Sequence, residues 1–304
     1  MKIGIIGTGS VGGAIATTIV PLELVGEIVL IDTDAKRLRS AEADLSHAAA
    51  FGRGVKIVAG KYSYLKDADI VIIAAGANQK IGESRTNLAA RNAAVMHDVV
   101  PKIMKAADRK KIIIIVVSNP LDTMTMIAQK ISGLPFGRVI GTGTMLDSAR
   151  LRAEIARHFD ISPQAVDAYV LGEHGDSAVL NWTSAKIGGL SLSDFANQTR
   201  TAWTAKIKSE IERRVKASAM EIIQGRGATW DGIAAATTDL IRAIDNDERR
   251  VLPVSVTDGK CAFSMPHIVG RHGAGPTLCP PMDAFERRAL AESVKAIRKT
   301  SYEL

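Results

Sequence analysis

Two titratable side chains and one cation in this sequence have the types and spacing of a proton-transfer site. The stretch YVLGEHGDSAV, residues 169–179, places His174 directly after an apolar run that predicts a buried strand. In LDSAR, Asp147 and Arg150 stand three residues apart, which puts both on one face of a helix. Taken singly, these features also fit an exposed turn histidine and a surface ion pair. The elements that position them decide between the two interpretations.

A long polar loop and a strand-end amide accompany these residues. GANQKIGESRTNLAARN, residues 76–92, follows a buried strand, carries Gln79 and Arg85, and is bracketed by glycines as in a hinged lid. In VSNPLD, Asn119 stands at the carboxyl end of a strand, where open α/β sheets bind ligands. A solvated loop charge and a plain turn are the alternatives for Arg85 and Asn119.

GIIGTGSVGGA predicts a phosphate-binding turn between the first strand and the first helix. Gly7 permits the tight turn, Gly9 allows backbone to approach a pyrophosphate, and Gly12 allows close packing of helix on strand. Asp32 ends the next strand twenty residues after Gly12, and a carboxylate there accepts hydrogen bonds from a ribose diol and repels a 2′-phosphate. NAD is therefore the expected cofactor, and no metal site is expected.

The elements that must position these residues follow a strand–helix alternation. The apolar runs are continuous, as in strands buried on both faces of a parallel sheet, and occur at residues 2–7, 27–32, 56–60, 69–76, 111–118 and 138–143. Helices are predicted between several of them, at 86–108 and 123–131. The first half thus predicts an α/β Rossmann-type doubly wound sheet over residues 1–141.

The regular alternation of strands and helices ends after residue 141. A helix is predicted at 145–159, a charged helix near 201–224, hairpin-like segments at VLPVSVT and KCAFSMPHIVG, and a last helix from about 282. We interpret residues 142–304 as a C-terminal α+β substrate domain that continues from the first without a flexible linker.

Composition excludes several functional classes. The chain has 304 residues, 46% hydrophobic, with net charge +7 and only 4% aromatic residues. Its basic runs are short and have no interleaved aromatics, so nucleic-acid binding is not expected. The apolar runs are too short to span a bilayer, and two cysteines without metal spacing fit a reducing compartment. We expect a cytoplasmic protein.

The ordered set of motifs resembles the NAD-dependent L-lactate/malate dehydrogenase family. GxGxxG, the strand-end aspartate, GANQK, GESR, SNPLD, LDSAR and GEHGDS occur in that order, and GATWDGIA and DERRVLPVSV extend the resemblance over essentially the whole chain. The resemblance implies reversible hydride transfer between NADH and a small 2-oxo acid in a homo-oligomer, with a tetramer favoured over a dimer. A catalytically silent NAD-binding protein is the alternative from another class.

The resemblance also assigns roles to matching positions. It makes His174 the proton donor, Asp147 the partner that holds its imidazole, and Arg150 the bidentate clamp for the substrate carboxylate. It makes Arg85 the group that polarises the carbonyl. It places Asn119 and Thr229 at the substrate. The cofactor positions it implies are Gly7, Gly9, Val11, Gly12, Asp32, Ala75, Gly76, Asn119, Thr142 and Ile233.

Gln79 carries the choice of substrate. The malate branch has an arginine at this lid position for the second carboxylate of oxaloacetate, and a neutral glutamine does not neutralise that charge. Pyruvate and L-lactate are therefore favoured; malate dehydrogenase and a broader 2-hydroxyacid dehydrogenase are the alternatives.

The sequence departs from the family at three places. Ile81 replaces the usual lid proline, so we expect a less restricted open loop and slower closure. Asp231 replaces an aromatic, so we expect a more polar pocket wall. Members activated by fructose-1,6-bisphosphate use an arginine and a histidine; this chain keeps Arg152 but has Asp167 at the histidine position. A carboxylate repels a phosphate, so no activation is expected.

Overall fold

A nine-stranded sheet forms the centre of the structure. The protein is described by a computed structural model over residues 1–22, 24–52, 54–77 and 85–302. In these ranges the strands are β1 (Lys2–Ile6), β2 (Glu27–Ile31), β3 (Lys56–Ala59), β4 (Ile70–Ile73), β5 (Ile113–Val116), β6 (Val139–Gly141), β7 (Val166–Leu171), β8 (Val179–Ile187), β9 (Leu190–Ser191), β10 (Arg250–Thr257), β11 (Ala262–Gly270) and β12 (Gly273–Thr277).

The sheet has the order β12-β11-β10-β6-β5-β4-β1-β2-β3. The six strands from β6 to β3 run parallel, and their crossovers place helices on both faces. Residues of β4 and β5 are buried at every position, as their uninterrupted runs of Ile and Val predict. The doubly wound fold predicted from the first half of the chain is confirmed.

The helices for which the sequence predicts bounds lie close to those bounds. In the described ranges they are α1 (Ser10–Ile19), α2 (Ala35–Ala49), α3 (Arg85–Ala106), α4 (Leu121–Ser132), α5 (Met145–Phe159), α6 (Leu192–Thr199), α7 (Ala205–Arg226), α8 (Asp231–Asp245) and α9 (Ala284–Tyr302). The charged helix expected near 201–224 begins later, at Ala205, because Thr204 caps it by accepting a hydrogen bond from the Ile207 amide.

The strands after residue 141 divide between two sheets. β7, β8 and β9 form a separate antiparallel sheet. The hairpin of β10 and β11 extends the large sheet instead, because β10 pairs antiparallel with β6 through Ser255 and Gly141. The sequence signalled the hairpin but not this pairing, which joins elements on either side of residue 141.

The parallel strands bring the polar motifs to one edge of the sheet. β1, β2, β4 and β5 end just before Gly7, Asp32, Ala75 and Asn119 respectively. Neighbouring parallel strands end on the same side, so these residues share the edge where α/β sheets bind ligands. Among the described helices, none is long and apolar enough to cross a membrane.

Candidate active site

His174, Asp147 and Arg150 form one connected group. Asp147 lies in the first turn of α5, and its Oδ2 is 2.6 Å from Nδ1 of His174. Its other oxygen, Oδ1, accepts a hydrogen bond from Nη1 of Arg150 at 3.0 Å. One buried carboxylate therefore bridges an imidazole and a guanidinium. The i, i+3 spacing predicts the contact with Arg150, and the family resemblance implies the contact with His174.

The charges in this group support one another. The Asp147 carboxylate raises the pKa of His174 above its usual value, against the opposing effect of burial. Burial also works against ionisation of Asp147, yet the neighbouring imidazolium and the Arg150 guanidinium outweigh it and hold the pKa of Asp147 below its usual range. The Asp147 carboxylate therefore stabilises the imidazolium form of His174, which is the form that donates a proton.

His174 lies in a turn, residues 172–177, that we call the histidine turn. Three consecutive backbone N–H groups in it donate to three different elements. Gly172 pairs with the Ser264 backbone of β11 in both directions at 2.9 Å. The Glu173 amide donates to Ser293 Oγ of α9 at 2.9 Å, and the His174 amide donates to Asp122 Oδ2 of α4 at 2.8 Å. The turn is thus held by contacts from distant parts of the chain.

Asn119 is connected to the base of the predicted lid through Asn92. The Asn92 side chain accepts a hydrogen bond from the Ala77 amide at 2.7 Å and donates to the Asn119 carbonyl at 2.6 Å. Beside it, Ser118 Oγ donates to the Ala75 carbonyl at 2.6 Å. The ends of β4 and β5 are therefore tied together, and the Asn119 side chain stays exposed at their edge.

The turn of residues 7–12, which we call the glycine turn, fits a bound dinucleotide. Gly7 has φ +96°, a left-handed value that glycine adopts without strain. A Cβ on Gly12 would lie 1.9 Å from the Gly7 carbonyl oxygen, whereas a Cβ on Gly9 meets no protein atom within 4 Å. Close packing at Gly12 and open space at Gly9 are what a pyrophosphate at the start of α1 requires.

Asp32 is held facing the glycine turn. Its Oδ2 accepts hydrogen bonds from the Thr8 amide and hydroxyl at 2.7 and 2.8 Å, and its Oδ1 accepts from the Asp34 amide at 2.9 Å. Burial opposes ionisation, but these donors lower the pKa of Asp32. A carboxylate has about four acceptor positions, so capacity remains for a ribose hydroxyl. Arg37, which the sequence did not single out, approaches Oδ2 at 3.8 Å.

The remaining predicted residues lie around this edge with less defined contacts. Thr142 is buried after β6, and its amide donates to the Val116 carbonyl at 3.1 Å. Val11 of α1 and Ile233 of α8 pack against the same apolar cluster, on one side of the large sheet. Gly76 lies against the Asn92 side chain.

The predicted lid residues lie mostly outside the description. Gln79 and Ile81 are outside the described residues. Arg85 is the first residue of α3, but its side chain is also outside the description. The positions of these side chains relative to His174 therefore stay predictions.

Thr229 lies between α7 and α8 in a segment that an ion pair closes. Arg226 Nη1 donates to Asp231 Oδ2 at 2.5 Å, and the Arg226 guanidinium lies 4.4 Å from the Trp230 ring centre. Asp231, expected to make the pocket wall more polar, is 66% exposed at its side chain and is neutralised by this arginine. The sequence shows Arg226 and Asp231 five residues apart, but the ion pair between them is seen only in the structure.

The residues that support the site were missed by sequence reasoning. Asn92, Asp122, Ser264 and Ser293 each bond to backbone near a predicted site residue. Asp122 stands in the quoted SNPLD motif, and its place in that motif was the available signal. Asn92 ends the quoted polar stretch of residues 76–92, whereas Ser264 and Ser293 lie in a strand and a helix whose patterns give no sign of a polar contact.

Both halves of the chain match models of one family. Residues 1–141 match the lactate/malate dehydrogenase NAD binding domain, and residues 144–303 match the lactate/malate dehydrogenase alpha/beta C-terminal domain.

Similar proteins agree in length and in fold. The chain is 43% identical to the L-lactate dehydrogenase of Thermus aquaticus and 42% identical to that of Allorhizobium ampelinum, each comparison covering 98% of this chain and 97% of the relative. The crystal structure of a minor L-lactate dehydrogenase from Enterococcus mundtii, in ligand-bound form, has a TM-score of 0.94 at 34% identity and covers 100% of this chain and 98% of the other.

Proposed function

This chain belongs to the lactate/malate dehydrogenase family, and we propose that it is an NAD-dependent L-lactate dehydrogenase that interconverts pyruvate and L-lactate. The observation that carries the proposal is the group in which Asp147 bridges His174 and Arg150. Such a group supplies, within one pocket, a proton for a ketone oxygen and a fork of donors for a carboxylate.

His174 acts as the proton donor in reduction and as the base in oxidation. Because Asp147 accepts from Nδ1, the imidazole is held in one orientation and Nε2 carries the proton that reaches the substrate oxygen. The raised pKa of His174 keeps a larger fraction of the ring protonated than in a free imidazole at the same pH. Arg150, fixed by the same carboxylate, binds the carboxylate of pyruvate.

The glycine turn and Asp32 hold the dinucleotide. Gly7, Gly9 and Gly12 would allow its pyrophosphate to reach the N-terminus of α1, and the Asp32 carboxylate would accept hydrogen bonds from its ribose. Val11, Ala75, Gly76, Asn119, Thr142 and Ile233 complete the proposed contacts. When bound, NADH supplies the hydride to the carbonyl carbon.

The substrate contacts from the lid and the α7–α8 segment complete the proposal. Arg85 stabilises the oxygen on which negative charge develops, Asn119 donates to the same region, and Thr229 forms part of the pocket wall. Gln79 leaves room for a methyl group and gives no positive charge to a second carboxylate, so pyruvate is preferred over oxaloacetate.

We further propose that fructose-1,6-bisphosphate does not activate the protein. Arg152 already faces the carboxylates of Asp167 and Asp239, and Asp239 also binds Arg250 at 2.8 Å. A phosphate arriving at Arg152 has to displace these carboxylates or accept their repulsion.

Assembly, location and domain division are also proposals. Large apolar side chains that stand exposed on the single chain, Phe51, Met220 and Phe285, favour a homo-oligomer that covers some of them, with a tetramer preferred. The two free cysteines fit the reducing cytoplasm. The cofactor domain is assigned to residues 1–141 and the substrate domain to residues 142–304.

The proposal is tested by NADH oxidation with purified protein and pyruvate or oxaloacetate. We expect a kcat/KM at least about a hundredfold higher for pyruvate, unchanged by fructose-1,6-bisphosphate. Gln79→Arg is the matched variant and is expected to reverse the preference. An initial preference for oxaloacetate would identify a malate dehydrogenase, and no turnover of either acid despite NADH binding would identify a catalytically silent protein.

A further inference from the structure

Asp122 is a second buried carboxylate at the histidine turn. It lies in the first turn of α4 and is 3% exposed. Its Oδ1 accepts a hydrogen bond from Ser255 Oγ of β10 at 2.6 Å, and its Oδ2 accepts from the His174 amide at 2.8 Å. Because so little of it reaches the surface, Asp122 acts on the site through its neighbours.

A buried carboxylate costs free energy unless its surroundings favour the charge. Burial raises the pKa of Asp122 to about 6, although the Ser255 hydroxyl, the His174 amide and the His174 imidazole all lower it. Its place at the start of α4 also favours a negative charge. Asp122 is therefore ionised at neutral pH and gains a proton as the pH falls through about 6.

His174 is held at two points by two different carboxylates. Asp147 bonds to the ring at Nδ1 and Asp122 bonds to the main chain of the same residue. A hydrogen bond to the ring alone leaves the main-chain amide of His174 without a direct partner. Bonds at both the ring and the amide fix the position of the whole residue. Small displacements of a reacting group are costly in rate.

We propose that Asp122 is a positioning residue for His174: its buried carboxylate anchors the main chain that carries the imidazole and adds a second negative charge that stabilises the protonated ring. The inference deepens the proposed function, since it assumes that His174 is the proton donor. Because Asp122 is 3% exposed and both its oxygens bond to protein groups, we assign it no contact with substrate or cofactor.

The charge environment determines the sign of the expected effect. Asp122 faces the His174 imidazole, the Glu173 carboxylate and the Cys261 thiol, while His174 faces Asp147, Asp122 and Arg150. Loss of the Asp122 charge lowers the pKa of His174. As the pH is raised, the rate of pyruvate reduction therefore begins to fall at a lower pH than in the unaltered protein. Below about pH 6 Asp122 is already protonated in the unaltered protein, so the difference disappears there.

Two variants separate the anchor from the charge. In Asp122→Asn, the amide oxygen still accepts from the His174 amide and the amide nitrogen donates to Ser255, whose hydroxyl rotates to accept. Asp122→Ala removes both. For Asp122→Asn we expect the apparent pKa of the alkaline limb of pyruvate reduction to fall by about one unit. At pH values above that pKa, we expect kcat/KM to fall about tenfold. For Asp122→Ala we expect kcat to fall a further ten- to hundredfold or so at all pH.

Ser293→Ala is the matched control, because it removes an anchor one residue away without changing any charge. We expect a lower kcat and an unchanged pKa. If Ser293→Ala lowered the apparent pKa as much as Asp122→Asn does, any loosening of the turn would be enough to move the pKa. That result would overturn the role of the Asp122 charge. An unaltered profile in Asp122→Asn would do the same.

An unchanged kcat in Asp122→Ala would overturn the anchoring role of Asp122. If the alanine variant does not fold, the pH profile of Asp122→Asn still tests the effect of the charge. The unaltered protein is assayed first with pyruvate. Failure there contradicts the proposed function, whereas normal activity with unresponsive variants contradicts only this inference.

Discussion

The glycine turn and the histidine turn both follow a strand and both present the groups that the proposed chemistry needs, but they are held in different ways. In the glycine turn, the Gly7 amide donates to the Ile31 carbonyl at 2.8 Å, and Thr8 bonds to Asp32, so its partners come from the next strand. In the histidine turn, the anchors Asp122, Ser264 and Ser293 come from three elements remote in the chain.

Each turn is therefore sensitive to a different kind of substitution. The glycine turn depends on the absence of side chains, so adding an atom there is the effective perturbation. The histidine turn depends on polar partners, so removing one bond is enough.

Replacing the histidine itself tests the chemical role of its turn. We expect His174→Gln to lower kcat for pyruvate reduction about a thousandfold, because general acid catalysis contributes roughly 10²–10⁴-fold. NADH binding, measured by its fluorescence, is expected to stay within about twofold, since the glycine turn is untouched. Tenfold weaker NADH binding would contradict the separation of the two turns.

Removing the charge that holds the ring sharpens the comparison through pH. We expect Asp147→Asn to lower kcat/KM for pyruvate about a hundredfold at pH 7.5. Asp147 raises the pKa of His174, and pyruvate reduction needs the protonated ring. As the pH is raised, the activity of the variant therefore begins to fall at a lower pH than the activity of the unaltered protein. A pH–rate profile checks this; an alkaline limb in its original place would contradict the assigned partner.

Two glycine-to-alanine changes separate packing from binding within the glycine turn. The added Cβ in Gly12→Ala meets the Gly7 carbonyl oxygen, and we expect the free energy of unfolding to fall by about 2 kcal/mol. In Gly9→Ala it meets no protein atom within 4 Å, so stability stays the same and NADH binding weakens. Denaturant unfolding and NADH titration measure both; equal stability of the two variants would be evidence against the packing argument.

Asp32→Asn tests whether the carboxylate selects the cofactor. Without its negative charge, and with Arg37 already near that oxygen, we expect the preference for NADH over NADPH in kcat/KM to fall about tenfold. Asp34→Asn is the control, because Asp34 caps α2 without facing Thr8. The idea fails if both variants keep the original preference.

The elements were largely predictable because their patterns are local. The run IIII at β5 and the period of MLDSARLRAEIARHF at α5 predict a strand and a helix without knowledge of their neighbours. The position of β10 beside β6 was not predictable, because it depends on a pairing between residues 141 and 255 that no local pattern encodes.

The same division holds in the site. The sequence alone predicts the glycine turn, the strand-end Asp32 and the candidate residues His174, Asp147 and Arg150. Fixed spacings and side-chain chemistry are properties of short segments. The structure adds that one Asp147 carboxylate contacts His174 and Arg150 at once, that Arg226 pairs with Asp231, and that Asp122 and Ser293 hold the histidine turn. Hydrogen bonds between distant segments act over about 3 Å, so they exist only once folding has brought their partners together.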